Sequence, residues 1–365
     1  MSADTHFHSL RVVARDAVAD DAVSLGLEVP PALAEAYAFE PGQHLTLRTV
    51  IAGQECRRSY SLCDRPGQPM LRIGVRRVEG GLFSNWVHER LCVGDVIDVM
   101  PPQGQFHLPL QPEAQRHVLA FATGSGITPV LSIVKSTLLA EPLTRVTLVY
   151  GNRSSGSVMF KEELEDLKDS YLGRFNLVWI MSRESQDIDL FNGRIDHDKV
   201  SRLLTHWIDP VGIDAVFICG PQDMMLATAQ ALQDKGVPAS RIKTELFGTV
   251  LDDGRVRVPR QAVQGSSGHC TVEVVLDGTR RSFVMDKNTD NLVDAGIKAG
   301  LEMPFSCKGG VCSTCRALVV EGEVDMDINF ALEDYEVARG FVLCCQSYPV
   351  TDALVIDFDR EHAHS

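Results

Sequence analysis

No run of about 18 consecutive apolar residues occurs in the chain, so a membrane-spanning helix is not expected. Met1 to Arg11 lacks the basic-then-apolar layout of a secretory signal, and the protein is expected in the cytoplasm. Basic side chains are outnumbered 35 to 49, a net charge of −14. A general affinity for nucleic acid or for an anionic membrane is therefore not expected, while basic partner surfaces remain compatible. Internal repeats and long low-complexity tracts are missing. Neither a His/carboxylate iron set nor a second cluster motif is present, so nothing in the chain would oxygenate an organic substrate. Its 365 residues suffice for two or three domains, each with its own core. What is plentiful is cysteine. Ten are few for a secreted disulfide scaffold and many for a cytosolic protein, so their placement needs a chemical reason.

Cys307, Cys312 and Cys315 form C-x4-C-x2-C, followed much later by the pair Cys344 and Cys345. This is plant-type spacing for a [2Fe–2S] cluster, which needs four thiolates. A tight loop can supply three if its backbone bends round the cluster with its amides aimed at sulfur, and Gly309 and Gly310 would permit that bend. A structural zinc site would use two close cysteine pairs, and only Cys312 to Cys315 has that spacing. A disulfide cluster conflicts with a cytosolic location. Around the loop, the β-branched runs Thr271 to Leu276 and Thr279 to Val284 meet at the hairpin signal Asp277-Gly278. A short helix over Asn291 to Ala299, stopped by Gly300, and strands over Ala317 to Val320 and Ala353 to Phe358 complete the pattern.

From His8 to about Leu108, short apolar strands separated by turns point to a small antiparallel barrel. In Arg57-Arg58-Ser59-Tyr60-Ser61, a spacing of two puts Arg58 and Tyr60 on one strand face, where a phosphate and an aromatic ring could be held together. Gly80-Gly81-Leu82-Phe83-Ser84-Asn85-Trp86 sets two glycines before a helix, whose free amides suit a pyrophosphate. The competing reading is a plain glycine turn with a serine helix cap.

Between Arg116 and Phe247, strands and helices alternate, which implies a parallel sheet with ligands at the carboxyl ends of its strands. Thr123-Gly124-Ser125-Gly126-Ile127-Thr128-Pro129 follows the first strand and opens a helix, a phosphate cradle by position that lacks the third glycine of the Rossmann fingerprint. After a later strand, Ser182 and Arg183 offer the hydroxyl and cation that a 2′-phosphate needs, so NADPH is preferred over NADH. A solvated arginine balanced by Glu184 is the alternative, and Arg153 is a second candidate for the phosphate.

These motifs resemble the ferredoxin reductase family: R-x-Y-S over Arg58 to Ser61, G-x-G-I-T-P over Gly124 to Pro129 and C-G-P over Cys219 to Pro221. The resemblance implies FAD, with FMN as the alternative flavin. It places Arg58 on a flavin phosphate, Tyr60 against the ring and the Ser61 hydroxyl near N5, with Ser59 between them. The diphosphate falls to Gly81, Leu82, Phe83 and Ser84. Thr123, Gly124, Ser125, Gly126 and Thr128 fall to the nicotinamide cofactor, with Cys219 and Gly220 at the hydride-transfer point. Glu245-Leu246-Phe247-Gly248 resembles the end of flavohaemoglobins, which implies Phe247 against the flavin. Val342 to Pro349 resembles the fourth-ligand segment of plant ferredoxins, which implies Cys345 on iron and Cys344 as a packed neighbour.

The expected architecture is therefore multidomain: an antiparallel β-barrel flavin domain over 1–110, an α/β parallel-sheet nicotinamide domain over 111–248, a linker over 249–267 and an α+β β-grasp ferredoxin domain over 268–365. Over nearly its whole length the chain is similar to the reductase components of phenylacetyl-CoA epoxidases, multicomponent di-iron monooxygenases of phenylacetate degradation. That implies hydride transfer from NADPH to flavin, single electrons through [2Fe–2S], and a di-iron oxygenase as acceptor. Reductases of other aromatic-ring oxygenases and demethylases share these motifs. A redox-sensing iron–sulfur binding protein is a reading from another class, but a sensor needs no hydride entry port. Cys56, Cys63, Cys92, Cys270 and Cys344 are left without a role.

Overall fold

The computed structural model describes residues 6–247 and 268–362, so the expected linker lies outside the described residues. The chain divides into two compact units, the larger built from 8–56 and 60–248 and the other mainly from 249–365.

The larger unit opens with β1 (His8–Ala19), β2 (Ala22–Glu28), β3 (His44–Ile51), β4 (Gln54–Ser61), β5 (Leu71–Arg76), α1 (Leu82–Glu89) and β6 (Val96–Gln103). The strands form one sheet in the order β4-β3-β6-β1-β2-β5. Leu62, just past β4, bridges to Ile73 in β5 and joins the two edges of the sheet, as the barrel reading expects. Leu10, Leu25, Leu45, Leu47, Leu62 and Ile73 fill its core, each fully buried.

The chain continues through β7 (His117–Thr123), α2 (Ile127–Ala140), β8 (Arg145–Asn152), α3 (Lys161–Ser170), β9 (Phe175–Met181), α4 (His197–His206), β10 (Ile213–Gly220), α5 (Gln222–Asp234) and β11 (Ile242–Leu246). The strands pair in parallel, in the order β11-β10-β7-β8-β9. Strand order reverses at β7, so a crevice opens between the carboxyl ends of β7 and β10, the usual ligand position in such sheets. α2 is apolar almost all round and buries nearly every turn, as expected of a helix covered on several sides.

The second unit contains β12 (His269–Leu276), β13 (Thr279–Asp286), α6 (Leu292–Lys298), β14 (Arg316–Glu321), β15 (Val324–Met326), α7 (Asp334–Ala338), β16 (Phe341–Leu343), β17 (Ser347–Pro349) and β18 (Ala353–Asp357). Its main sheet runs β13-β12-β18-β14-β16, with β15 and β17 as a separate pair. Asp277 and Gly278 both have positive φ, 51° and 69°, the turn that matches strand twist in a two-residue hairpin. The Asn291 side chain accepts the Asp294 N–H and caps α6. No described helix is long and apolar enough to cross a membrane.

Candidate functional site

In the barrel, β4 carries Arg58, Ser59, Tyr60 and Ser61 in succession. Arg58 is exposed, Tyr60 half-buried and Ser61 buried. The Tyr60 ring lies 5.8 Å from that of Phe83 on α1, so the strand motif and the glycine motif meet. Gly80 takes φ 70°, and Gly81 stands at the N-cap with no side-chain cap. Ser84 lies inside the first turn, where its hydroxyl accepts the Val78 N–H at 3.1 Å. The serine-cap reading therefore fails, and the opening amides of α1 have no side-chain cap.

At the crevice, Gly124 has φ 55°, and Thr128 Oγ1 donates to Ser125 O at 3.0 Å, closing the loop on the start of α2. A Cβ on Gly126 would fall 2.3 Å from Cys219 O, and one on Gly220 would fall 2.2 Å from Thr123 Oγ1. The loop after β7 and the end of β10 thus approach as closely as backbone allows. Among the described residues, Thr123 Oγ1 is buried without a hydrogen-bond partner, a polar atom that a bound dinucleotide would satisfy. Phe247, half-buried, donates its N–H to Gly220 O at 3.3 Å.

Sequence reasoning missed one group here, Glu245. It pairs in register with Cys219 across β10 and β11. Its Oε2 accepts the Ser61 hydroxyl at 3.1 Å, and Oε1 lies 3.9 Å from His44 Nδ1. Burial pushes its carboxyl up to about 8, against a smaller opposing effect of the Ser61 hydrogen bond. The Cys219 thiol, fully buried, is pushed well above its ordinary value by burial and then by Glu245, which fits a packed neighbour and not a nucleophile. The motif Glu245 to Gly248 marked the segment but gave a role to Phe247 alone, because the neighbours of Glu245 come from β3, β4 and β10.

Beyond β9, the Ser182 N–H donates to Asn152 O at 2.9 Å and the Arg183 N–H to Arg153 O at 2.8 Å, bringing the two arginine candidates to adjacent backbone. Glu184 does not balance Arg183: its Oε2 accepts the Ser155 N–H at 2.7 Å and the Ser155 hydroxyl at 3.0 Å. Ser182, Arg183 and Arg153 are exposed.

In the second unit, all ten cysteines of the chain being free thiols, four sulfurs converge. Cys307 is in hydrogen-bond contact with Cys312 and Cys345, and Cys345 also with Cys315. The Gly309 N–H points at Cys307 Sγ at 3.3 Å, Cys307 N–H at Cys312 Sγ at 3.5 Å and Cys345 N–H at Cys315 Sγ at 3.4 Å. The contacts with Cys312 and Cys345 push the Cys307 thiol down to about 2, while Cys312 and Cys345 are pushed up. Among the described residues no group of three or more ligating side chains is arranged for a single metal ion. Four thiols with amides aimed at their sulfurs are the donor chemistry that a two-iron cluster takes, so the residues fit that group. The bend is made by Lys308, Gly310 and Ser313, with φ of 51°, 74° and 53°. Gly309, credited with it from sequence, is not among the positive-φ residues. Cys344 is fully buried in the core of this unit.

Comparison with known proteins matches residues 9–108 to an oxidoreductase FAD-binding domain, 121–230 to an oxidoreductase NAD-binding domain and 270–350 to a 2Fe-2S iron-sulfur cluster binding domain. The chain is 43% identical to a component of the 1,2-phenylacetyl-CoA epoxidase of Escherichia coli, over 98% of this chain and 99% of that protein. It is 34% identical to the ferredoxin reductase component of 3-ketosteroid-9-alpha-monooxygenase of Rhodococcus rhodochrous, over 93% of each. Among solved structures, phthalate dioxygenase reductase, described as a modular structure for electron transfer from pyridine nucleotides to [2Fe–2S], matches with a TM-score of 0.58 and 25% identity, over 96% of this chain and 98% of that one.

Proposed function

Because the chain belongs to the family of oxygenase reductases that join FAD-binding, NAD-binding and [2Fe–2S] domains, we propose that it takes electrons from NADPH and passes them singly to the di-iron oxygenase of a phenylacetyl-CoA epoxidase in the cytoplasm. It is an NAD(P)H-dependent oxidoreductase. When bound, the flavin accepts a hydride and releases electrons one at a time, and the cluster carries single electrons at a potential that for plant-type centres lies near about −400 mV.

The observation that carries this reading is the bond from Ser61 of the barrel to Glu245 of the parallel sheet, next to Cys219. It brings one hydroxyl and one carboxyl together beside a thiol, which supports a meeting point of nicotinamide and flavin there. In this reading Arg58 neutralises a flavin phosphate, Tyr60 backs the ring, and the amides of Gly81 to Ser84 take the diphosphate. Ser61 stands at the flavin edge, and Glu245 accepts its hydroxyl and fixes its orientation. Thr123 to Gly126, with Thr128, cradle the dinucleotide phosphates. Cys219 and Gly220 shape the nicotinamide pocket, and Phe247 covers the flavin when no nicotinamide is present. Ser182 and Arg183, with Arg153 beside them, bind the 2′-phosphate, which the turning of Glu184 towards Ser155 supports. Cys307, Cys312, Cys315 and Cys345 hold the cluster. We also propose domains at 1–110, 111–248 and 268–365 with a linker at 249–267.

The test has two stages. Anaerobic NADPH should bleach the flavin and then the cluster of the purified protein; a protein left oxidised by both nicotinamides would end the reductase reading. Reconstitution with candidate oxygenases, reading NADPH oxidation coupled to product, then identifies the partner. Coupling to a 3-ketosteroid monooxygenase and not to the epoxidase would replace the partner and leave the reductase standing.

A further inference from the structure

Directly after the third of the four thiols the chain enters a buried ion pair to which the proposed function gives no task. Arg316 follows Cys315 directly and opens β14. Its Nη2 lies 2.9 Å from Glu336 Oε1, with the two side chains only 6% and 2% exposed. The guanidinium carbon sits 3.8 Å from the centre of the Phe341 ring. The second carboxylate oxygen of Glu336 accepts the Glu333 N–H at 2.9 Å, which closes a capping box on α7. Backbone ties run in parallel: Arg316 pairs with Leu343 across β14 and β16, and the Cys344 N–H donates to Cys315 O at 3.0 Å. The ion pair therefore ties the residue after the third thiol to α7, while the backbone pairing ties it to the strand that leads into the fourth.

Stability alone does not account for such a pair. Taking two charges out of water costs about as much as their attraction returns, and apolar replacements of a buried pair are often neutral or better. Position gives it a different use. One-electron reduction adds negative charge to a cluster that four thiolates already make anionic, and a buried cation nearby favours the reduced form because little water screens it. A carboxylate on that cation cancels its field.

We propose that Arg316 and Glu336 form a charge-balanced pair beside the cluster loop in which Glu336, by cancelling Arg316, keeps the potential of the iron–sulfur centre low. This rests on Cys307, Cys312, Cys315 and Cys345 being the ligands. Both act through position and charge.

The full-length holoprotein is titrated anaerobically with the cluster followed by EPR, after iron and sulfide per chain have been counted for each variant. Glu336→Gln should raise the midpoint potential and Arg316→Met should lower it. Arg316→Lys should stay near wild type, and the double variant Arg316→Met/Glu336→Gln should return towards it. Single variants that hold a cluster at an unchanged potential, or that shift it in the same direction, overturn the proposal. So does failure of both single variants to hold a cluster, since the pair would then be purely structural. The ligand reading fails separately, if Cys345→Ser retains the wild-type EPR signal and iron content.

Discussion

Ser61 and Glu245, 184 positions apart, share a hydrogen bond of 3.1 Å that links the flavin barrel to the last strand of the parallel sheet. The Glu245 carboxyl titrates near 8 in the fold against an ordinary 4.5. Between those values the folded protein holds a proton that the unfolded chain has lost, so this group stabilises fully below about 4.5 and its contribution disappears as pH rises through about 8. Glu245→Gln should flatten that part of the stability profile, read as denaturant midpoints across the window. It should also slow anaerobic flavin reduction by NADPH at neutral pH by roughly a hundredfold, the usual size for a lost proton-handling group. Wild-type reduction rates in Glu245→Gln and in Ser61→Ala would sink the assignment.

Arg183 is exposed and takes part in no ion pair among the described residues, while its neighbour Glu184 is engaged with Ser155. A charge-assisted contact to a 2′-phosphate is worth about 1.5–3 kcal/mol, roughly ten- to a hundredfold in affinity. Arg183→Ala should therefore raise KM for NADPH by about that factor and leave KM for NADH nearly unchanged. Steady-state kinetics with ferricyanide as acceptor reads both. Equal effects on the two nicotinamides would remove the 2′-phosphate role.

Cys345 and Cys344 are adjacent but differ in surroundings. Cys345 touches Cys307 and Cys315, and its amide points at the Cys315 sulfur, whereas Cys344 is buried in the apolar core. Cys345→Ser should lose most of the iron and sulfide and the visible absorbance of the cluster. Cys344→Ser should keep them, with some loss of stability from a polar atom placed in the core. The reverse pattern would move the fourth ligand to Cys344.

Local sequence carried the long elements of this fold and left out the short and non-local ones. The run at Thr271 to Leu276 and the alternation from β7 to β11 show in residue pattern because each spans enough residues to repeat, and the Asp277-Gly278 turn shows in its residue types. Five-residue α7 and three-residue β15 and β17 are too short for that. α7 is instead fixed by the capping box of Glu333 and Glu336 and by the tie of Glu336 to Arg316, a partner outside the helix. The four cysteines were legible because their spacing is itself the signal. Glu245 was not, since its importance comes from parallel register with Cys219 and from a hydroxyl on another sheet. In the cluster loop, composition pointed to Gly309 and Gly310; Gly310 is left-handed, Gly309 is not, and Lys308 and Ser313 take the other left-handed conformations.

Gly126 is a site where a methyl group has no place to go. Its Cβ would meet Cys219 O at 2.3 Å and Cys219 C at 2.7 Å, backbone atoms of a central strand that cannot turn aside. Gly126→Ala must push the loop after β7 away from the end of β10, at a cost of about 1–3 kcal/mol for an overpacked interior. For a unit of this size that lowers Tm by roughly 2–10 °C. Because the displaced loop is the proposed phosphate cradle, KM for both nicotinamides should rise together, unlike the selective effect at Arg183. Calorimetry showing an unchanged Tm would contradict the close approach itself.

Charge is unevenly distributed along the chain: residues 268–365 carry 17 acidic and 8 basic side chains, which places −9 of the net −14 on the iron–sulfur unit. A field of that sign steers encounter with a basic surface, and salt weakens it because the Debye length shrinks from about 10 Å at 0.1 M to about 3 Å at 1 M. The second-order rate of electron transfer to the oxygenase should therefore fall several-fold as ionic strength is raised from about 0.05 to 0.5 M. Reduction of the reductase's own cluster by NADPH proceeds within one chain and should change much less. Stopped-flow records of both steps at matched salt separate the two. If the intermolecular rate were flat while the oxygenase stayed active, the acidic unit would have no part in steering, and docking would have to rest on apolar contacts that salt does not screen.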